Sequence, residues 1–148
     1  MSTQPILASS CARAATAAEA RYRIDRPISG RSARVIALDA AAADVVLRVA
    51  ELQWGASRFY PDASTFDLSS DLDDADVAIM IGTADADGDT ASSIARACAE
   101  RGIMTAGLIL GDRLDVGDAV SALRPYARNL MVTEDEDDVA AVLTALRA

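Results

Sequence analysis

DVAIMIGTADADGDTASSIARACAERGIMTAGLIL, residues Asp76–Leu110, decides the fold. Val77–Ile81 is an unbroken apolar run ending at Gly82, the pattern of a parallel strand covered on both faces. The turn Thr83–Thr90 carries Asp85, Asp87 and Asp89 around Gly88, with Asp89 as N-cap or first-turn residue of the helix that follows. That helix runs to about Arg101 and stops at Gly102, a position where a left-handed cap favours glycine. Met104–Leu110 is a second apolar strand. Two buried strands joined by a helix form a βαβ unit, whose crossover is right-handed because the strands themselves twist that way.

Toward the N-terminus, Ala33–Leu38 reads as a strand closed by Asp39. Ala40–Trp54 reads as a helix ended by Gly55, with Val45, Val49 and Leu52 at core-facing spacing. Arg58–Tyr60 is a short strand before Pro61. Asp62–Ala75 reads as a loop with a short helix capped by Ser69 or Ser70, carrying Phe66, Leu68 and Leu72 among acids. Toward the C-terminus, Gly111–Leu114 is a turn, and Asp115 caps a helix bearing Val116, Val120 and Leu123. Asn129–Val132 is the last strand. In TEDEDDVAAVLTALRA, residues 133–148, Thr133 as N-cap and Glu136 three positions on form a capping box. Asp135, Asp137 and Asp138 sit in the first turn, where the helix dipole favours carboxylates, and Arg147 complements the other end. Val139, Val142, Leu143 and Leu146 make the buried stripe.

This order predicts an α/β domain over residues 33–148, a three-layer Rossmann-like or flavodoxin-like arrangement of about five mostly parallel strands. Residues 1–32 precede it as a basic, alanine-rich helical extension. Within it Ser9–Arg23 is helix-prone, and Asp25–Ser32, with Pro27 and Gly30, is the linker. An alanine face buries little area, so the extension reads equally as a frayed segment or as a docking helix. Its arginine-rich, acid-poor start is also the composition of an organellar transit segment.

At 148 residues and 51% apolar, the chain has enough material for one real core. No apolar run approaches the roughly 20 residues of a membrane span, and Pro5–Leu7 is too short for a secretory signal. Cys11 and Cys98 make neither a disulfide framework nor a metal knuckle. The expectation is a cytoplasmic protein without membrane contact. Cys98 follows Ile94 by four and reads as a buried inert thiol, while Trp54 reads as an anchor at a helix end. Arg113 reads as a partner for Asp112 or Asp115.

The sequence has neither histidine nor lysine. That removes histidine general bases, Ser-His and Cys-His nucleophiles, histidine-bound zinc, Schiff-base lysines and the phosphate-loop lysine, and it argues against catalysis. The net charge of −9 is unevenly spread. Residues 1–34 hold six arginines against two acids, and the remainder holds eight arginines against 21 acids. An acidic body repels phosphate backbones, so no nucleic-acid partner is expected. The basic arm suits an acidic neighbour, which predicts a homo-oligomer or a protein partner held through residues 1–32.

In doubly wound sheets ligands bind beyond the carboxyl ends of the strands. The loops there carry Asp39, Thr83, Asp85, Asp87, Asp89, Asp112 and Thr133. An EF-hand reading with Gly88 at position 6 puts Thr83 at 1 and Ile94 at 12, where the loop needs acids, and fails. Asp85, Asp87 and Asp89, with Asp39 beside them, remain candidate ligands for Mg²⁺ or Ca²⁺. The same residues read more simply as solvated carboxylates at a helix start.

The segment from Ala75 to Leu110 resembles the nucleotide-binding domain of the tubulin/FtsZ cell-division GTPases. There a buried strand leads into a glycine- and threonine-rich phosphate turn, a helix, and a strand written much like GIMTA at Gly102–Ala106. The resemblance implies that Gly82, Thr83, Gly88, Thr90 and Ser92 line the phosphate turn. Positions that are glycine in the family are Asp85, Asp87 and Asp89 here, and three carboxylates repel a triphosphate unless cations intervene. Thr90, Ser92 and Ser93 at a helix start also resemble the phosphosugar-binding domain of sugar isomerases. Two readings follow. One is a non-catalytic accessory or assembly subunit on a degenerate FtsZ-like domain, with no cofactor expected. The other is a nucleotide-, phosphosugar- or divalent-cation-binding protein or enzyme, with a nucleotide or Mg²⁺ at the strand ends.

Overall fold

The computed structural model describes residues 32–52 and 54–146. Five strands alternate with four helices: β1 Ala33–Ala37, α1 Ala40–Ala50, β2 Arg58–Tyr60, β3 Val77–Gly82, α2 Gly88–Arg101, β4 Met104–Leu110, α3 Gly117–Leu123, β5 Asn129–Thr133 and α4 Asp137–Ala145. All strand pairs are parallel, in the order β2-β1-β3-β4-β5. This is the flavodoxin-like doubly wound order, with the switch in direction between β1 and β3. No helix among the described residues is long and apolar enough to cross a membrane.

The apolar runs are continuous because the central strands are covered on both faces. On one face Val35, Ile79, Ile81 and Leu108 meet Val45, Val46 and Val49 of α1 and Val139 and Leu143 of α4. On the other, Ile36, Met80 and Ile109 meet Ile94 and Cys98 of α2, Val116, Ala119 and Leu123 at α3, and Phe66 and Leu72 from the β2–β3 connection. Gly102 ends α2 at φ 68, as its sequence position predicts.

Four local expectations change. Helix α1 ends at Ala50, not Trp54, because the Trp54 indole N–H donates to the Val49 carbonyl at 2.7 Å and caps the last turn. Leu52 is consequently 53% exposed instead of facing the core. No helix follows Ser69 or Ser70. A 3-10 turn at Ala63–Thr65 leads into consecutive turns over 68–74. The Asp67 Oδ1 accepts from both the N–H and the hydroxyl of Ser69, so the serine donates to a turn instead of capping a helix. Those bonds hold the Asp67 carboxyl down at about 2.

Helix α3 begins at Gly117 without a side-chain cap, since Asp115 lies inside a turn closed on the Asp112 carbonyl. The capping box at α4 does not form either. Glu136 turns instead to Arg48 of α1 at 2.5 Å, and the turn is closed locally by Asp135, whose Oδ1 accepts from Asp137 N–H.

Arg34 is the largest departure from the charge map. It sits inside β1, as the strand expected over Ala33–Leu38 places it, but at 2% exposure, so its charge does not belong with the basic arm. Its Nε donates to the Asp71 carbonyl at 2.6 Å and its Nη2 to the Asp73 carbonyl at 3.0 Å. Its Nη1 reaches Ser32 Oγ and the Ala33 carbonyl. One guanidinium thus fastens the long β2–β3 connection to the first strand, next to Asp74, the one described non-glycine residue at positive φ. The expected helix over Ser9–Arg23, Cys11, the linker as far as Arg31, and Arg147 lie outside the described residues.

Candidate functional site

The switch between β1 and β3 places two loops side by side at the carboxyl ends of the strands. Asp39 stands in the first. Its Oδ1 accepts from the Ala42 N–H at 2.8 Å and caps α1, while its Oδ2 accepts from the Thr83 N–H at 2.7 Å. A single carboxylate therefore closes one helix and clasps the neighbouring turn. Asp87 stands in the second loop and is the N-cap of α2, two positions before Asp89. Its Oδ1 accepts from the Asp89 N–H at 3.0 Å and its Oδ2 from the Thr90 hydroxyl at 2.6 Å. These bonds, the Thr90 hydroxyl foremost, hold the Asp87 carboxyl below its ordinary value.

The two glycines of the turn serve its own packing. A Cβ on Gly82 would lie 2.6 Å from the Ala86 Cβ, and one on Gly88 would lie 3.3 Å from the Ala122 Cβ on α3. Both close approaches are to protein. Thr90 shares a crevice of about 480 Å³ with Asp39, Pro61 and Ser64. Ser92 faces elsewhere, toward Arg96, Pro125 and Tyr126. Asp85, Asp87 and Asp89 are exposed along the turn. Among the described residues no three His, Cys, Asp or Glu side chains stand together as a metal site.

The other strand ends are also occupied from within. Asp112 Oδ1 accepts from the Leu114 N–H at 2.9 Å. The Thr133 hydroxyl donates to Asp138 Oδ2 at 2.5 Å and accepts from the Asp135 N–H at 3.1 Å. Arg113 makes no ion pair with Asp112 or Asp115; among the described residues Arg48–Glu136 is the one salt bridge. Burial lifts the Cys98 thiol to about 11, the inert state its spacing predicts.

One concavity has no counterpart in the sequence reading. A groove of about 620 Å³ runs between α4 and β5, floored by Ala106, Leu108 and Met131 and walled by Val142, Ala145 and Leu146. Helix α4 packs its Val139 and Leu143 over the centre of the sheet, which leaves this face of β5 bare. The signal was present as NLMVT, an uncharged strand, but strand order is needed to know that it lies at an edge. No family model matches the chain, and no curated protein matches it.

Proposed function

We propose that this chain is a non-catalytic accessory or assembly subunit, built on a degenerate FtsZ-like nucleotide-binding domain and acting through its surfaces. The observation that supports this best is the filling of the switch point by the protein's own carboxylates. Anion sites at helix starts work by offering unsatisfied N–H groups and a favourable dipole. Here the Ala42 and Thr83 N–H groups are taken by Asp39, and the Asp89 N–H and the Thr90 hydroxyl by Asp87. A phosphate entering this crevice meets negative charge where it needs donors.

The charge map supports action through surfaces. With Arg34 withdrawn into the domain, residues 1–31 still hold five arginines against Glu19 and Asp25, beside a strongly acidic body. Electrostatic contact between such surfaces is screened over about 8–10 Å at ordinary salt, so assembly through the arm is salt-sensitive.

Thermal melting of the full chain with GTP or GTPγS and excess Mg²⁺ tests the reading. A ligand at a hundred times its dissociation constant adds about 2.7 kcal/mol of stability. No change in melting temperature is expected. A clear rise overturns the reading in favour of a nucleotide-binding protein.

A further inference from the structure

The two edges of the sheet are finished differently. Strand β2 has three residues, opens on exposed Arg58 and is stopped by Pro61, which are usual means of blunting an edge. Strand β5 has five residues and neither charge nor proline within it. Its Met131 is 50% exposed, and the groove beside α4 leaves one of its faces uncovered. The Gly111 N–H donates to the Thr133 carbonyl, so Thr133 faces β4. By the alternation of a strand, Asn129 and Met131 also turn their backbone groups inward, and Leu130 and Val132 turn theirs to the open edge. An uncharged, uncovered edge of this kind is a template for another strand.

The charges flanking β5 select the strand that fits. Arg128 precedes it and Glu134 follows it, both exposed, and neither has an ion-pair partner among the described residues. A second β5 laid antiparallel and centred on Met131 sets Asn129 opposite Thr133 and Arg128 opposite Glu134, twice, by symmetry. A parallel arrangement sets arginine against arginine and glutamate against glutamate. Opposite charges directly across a strand pair stabilise it, and like charges destabilise it. The edge is thus self-complementary only under a two-fold axis, the hallmark of an isologous interface.

We infer that β5 is the seam of a homodimer, in which two copies join edge to edge into one continuous ten-stranded sheet. The Met131 residue of each copy meets that of the other on the axis, and the two grooves merge along it. This goes beyond the assembly reading, which rests on residues 1–32.

Light scattering and sedimentation on the full chain test it. The wild type is expected at twice its 15.4 kDa chain mass. Met131→Arg places two cations face to face on the axis and is expected to give a monomer with unchanged circular dichroism, while Met131→Leu stays dimeric. Arg128→Glu and Glu134→Arg are each expected to weaken the dimer about tenfold, and the two together to restore it. A wild type that is monomeric up to its solubility limit overturns the seam, as does a dimer indifferent to Met131→Arg. A full chain with Arg13, Arg21 and Arg23 changed to serine separates the two readings. If it stays dimeric while Met131→Arg does not, the seam stands without the arm. If it dissociates while Met131→Arg does not, the arm reading stands and the seam falls.

Discussion

The molecule has two flanks built on opposite principles. Around β1 and β3, polar side chains tie the chain down: buried Arg34 holds the β2–β3 connection, half-buried Asp39 joins α1 to the turn after β3, and exposed Asp87 caps α2. Around β5, the helices α3 and α4 begin without side-chain caps, the strand is half exposed, and an apolar groove lies open. In the first flank the hydrogen-bonding groups of the two loops are engaged within the chain, which on the proposed function closes it to an anionic ligand. The second retains unsatisfied surface, and unsatisfied apolar surface beside an open strand edge is what association requires. On the proposed reading, one doubly wound sheet separates a closed ligand end from an open interaction side.

The largest test of this contrast is Arg34. Replacing it with methionine keeps much of the apolar stem but strands the carbonyls of Asp71 and Asp73 next to the sheet. Hydrogen bonds from a charged donor are worth about 1.5–3 kcal/mol each, and the stranded acceptors add their own desolvation cost. A loss of about 3 kcal/mol is expected in urea denaturation. Arg113→Met, at an exposed position without an ion pair, is expected to change stability by no more than about 0.5 kcal/mol. Equal effects of the two substitutions would remove the distinction between the flanks.

Arg34 also shows where reading the sequence stops. The strands of Asp76–Leu110 were legible to within one residue, β3 taking in Gly82, because an apolar run five to seven long between turn residues has few alternatives. Gly102 was legible as a cap for a local reason, its left-handed φ. Arg34 was legible as a strand residue but not as a buried clamp, because counting charge along the chain cannot tell an arginine facing a distant loop from one in solvent. The capping box at Thr133 failed for the same reason: Glu136 has a local role available, but Arg48, 88 residues away in sequence, competes for it and wins. Asp39, Thr83 and Asp87 read as strand-end residues, and Thr90 as part of the phosphate turn that the resemblance implies. That Asp39 answers the Thr83 N–H follows only from β1 lying beside β3. Nor could the exposure of β5 be known before the strand order was.

Asp39→Ala is the middle-sized test, aimed at the closed end. It removes an N-cap, worth about 1 kcal/mol, and the clasp on Thr83, worth about as much again, so a loss of about 2 kcal/mol is expected. It also frees two N–H groups and removes a negative charge from the crevice. Added phosphate is therefore expected to raise the melting temperature of the variant more than that of the wild type. If phosphate stabilises both equally, Asp39 is not what excludes anions from the switch point.

The smallest effect is expected at Glu136. Its ion pair with Arg48 joins α4 to α1, and the Glu136 carboxylate raises the Arg48 guanidinium above its ordinary value. Both side chains are largely in solvent, where such pairs contribute little to global stability. Glu136→Gln is therefore expected to leave the urea midpoint unchanged. The local consequence is different, because α4 starts without a side-chain cap and is held to the sheet chiefly by Val139 and Leu143. Loss of the pair is expected to raise amide exchange across Val139–Leu143 severalfold while leaving the β3 amides Ala78–Ile81 untouched, since local opening of a weakly tied element proceeds without global unfolding. At about 1 M salt, where the screening length falls to about 3 Å, the wild type is expected to exchange nearly as fast as the variant. If β3 and α4 speed up together, the two flanks open as one unit, and the division of the molecule into a closed end and an open side does not extend to its dynamics.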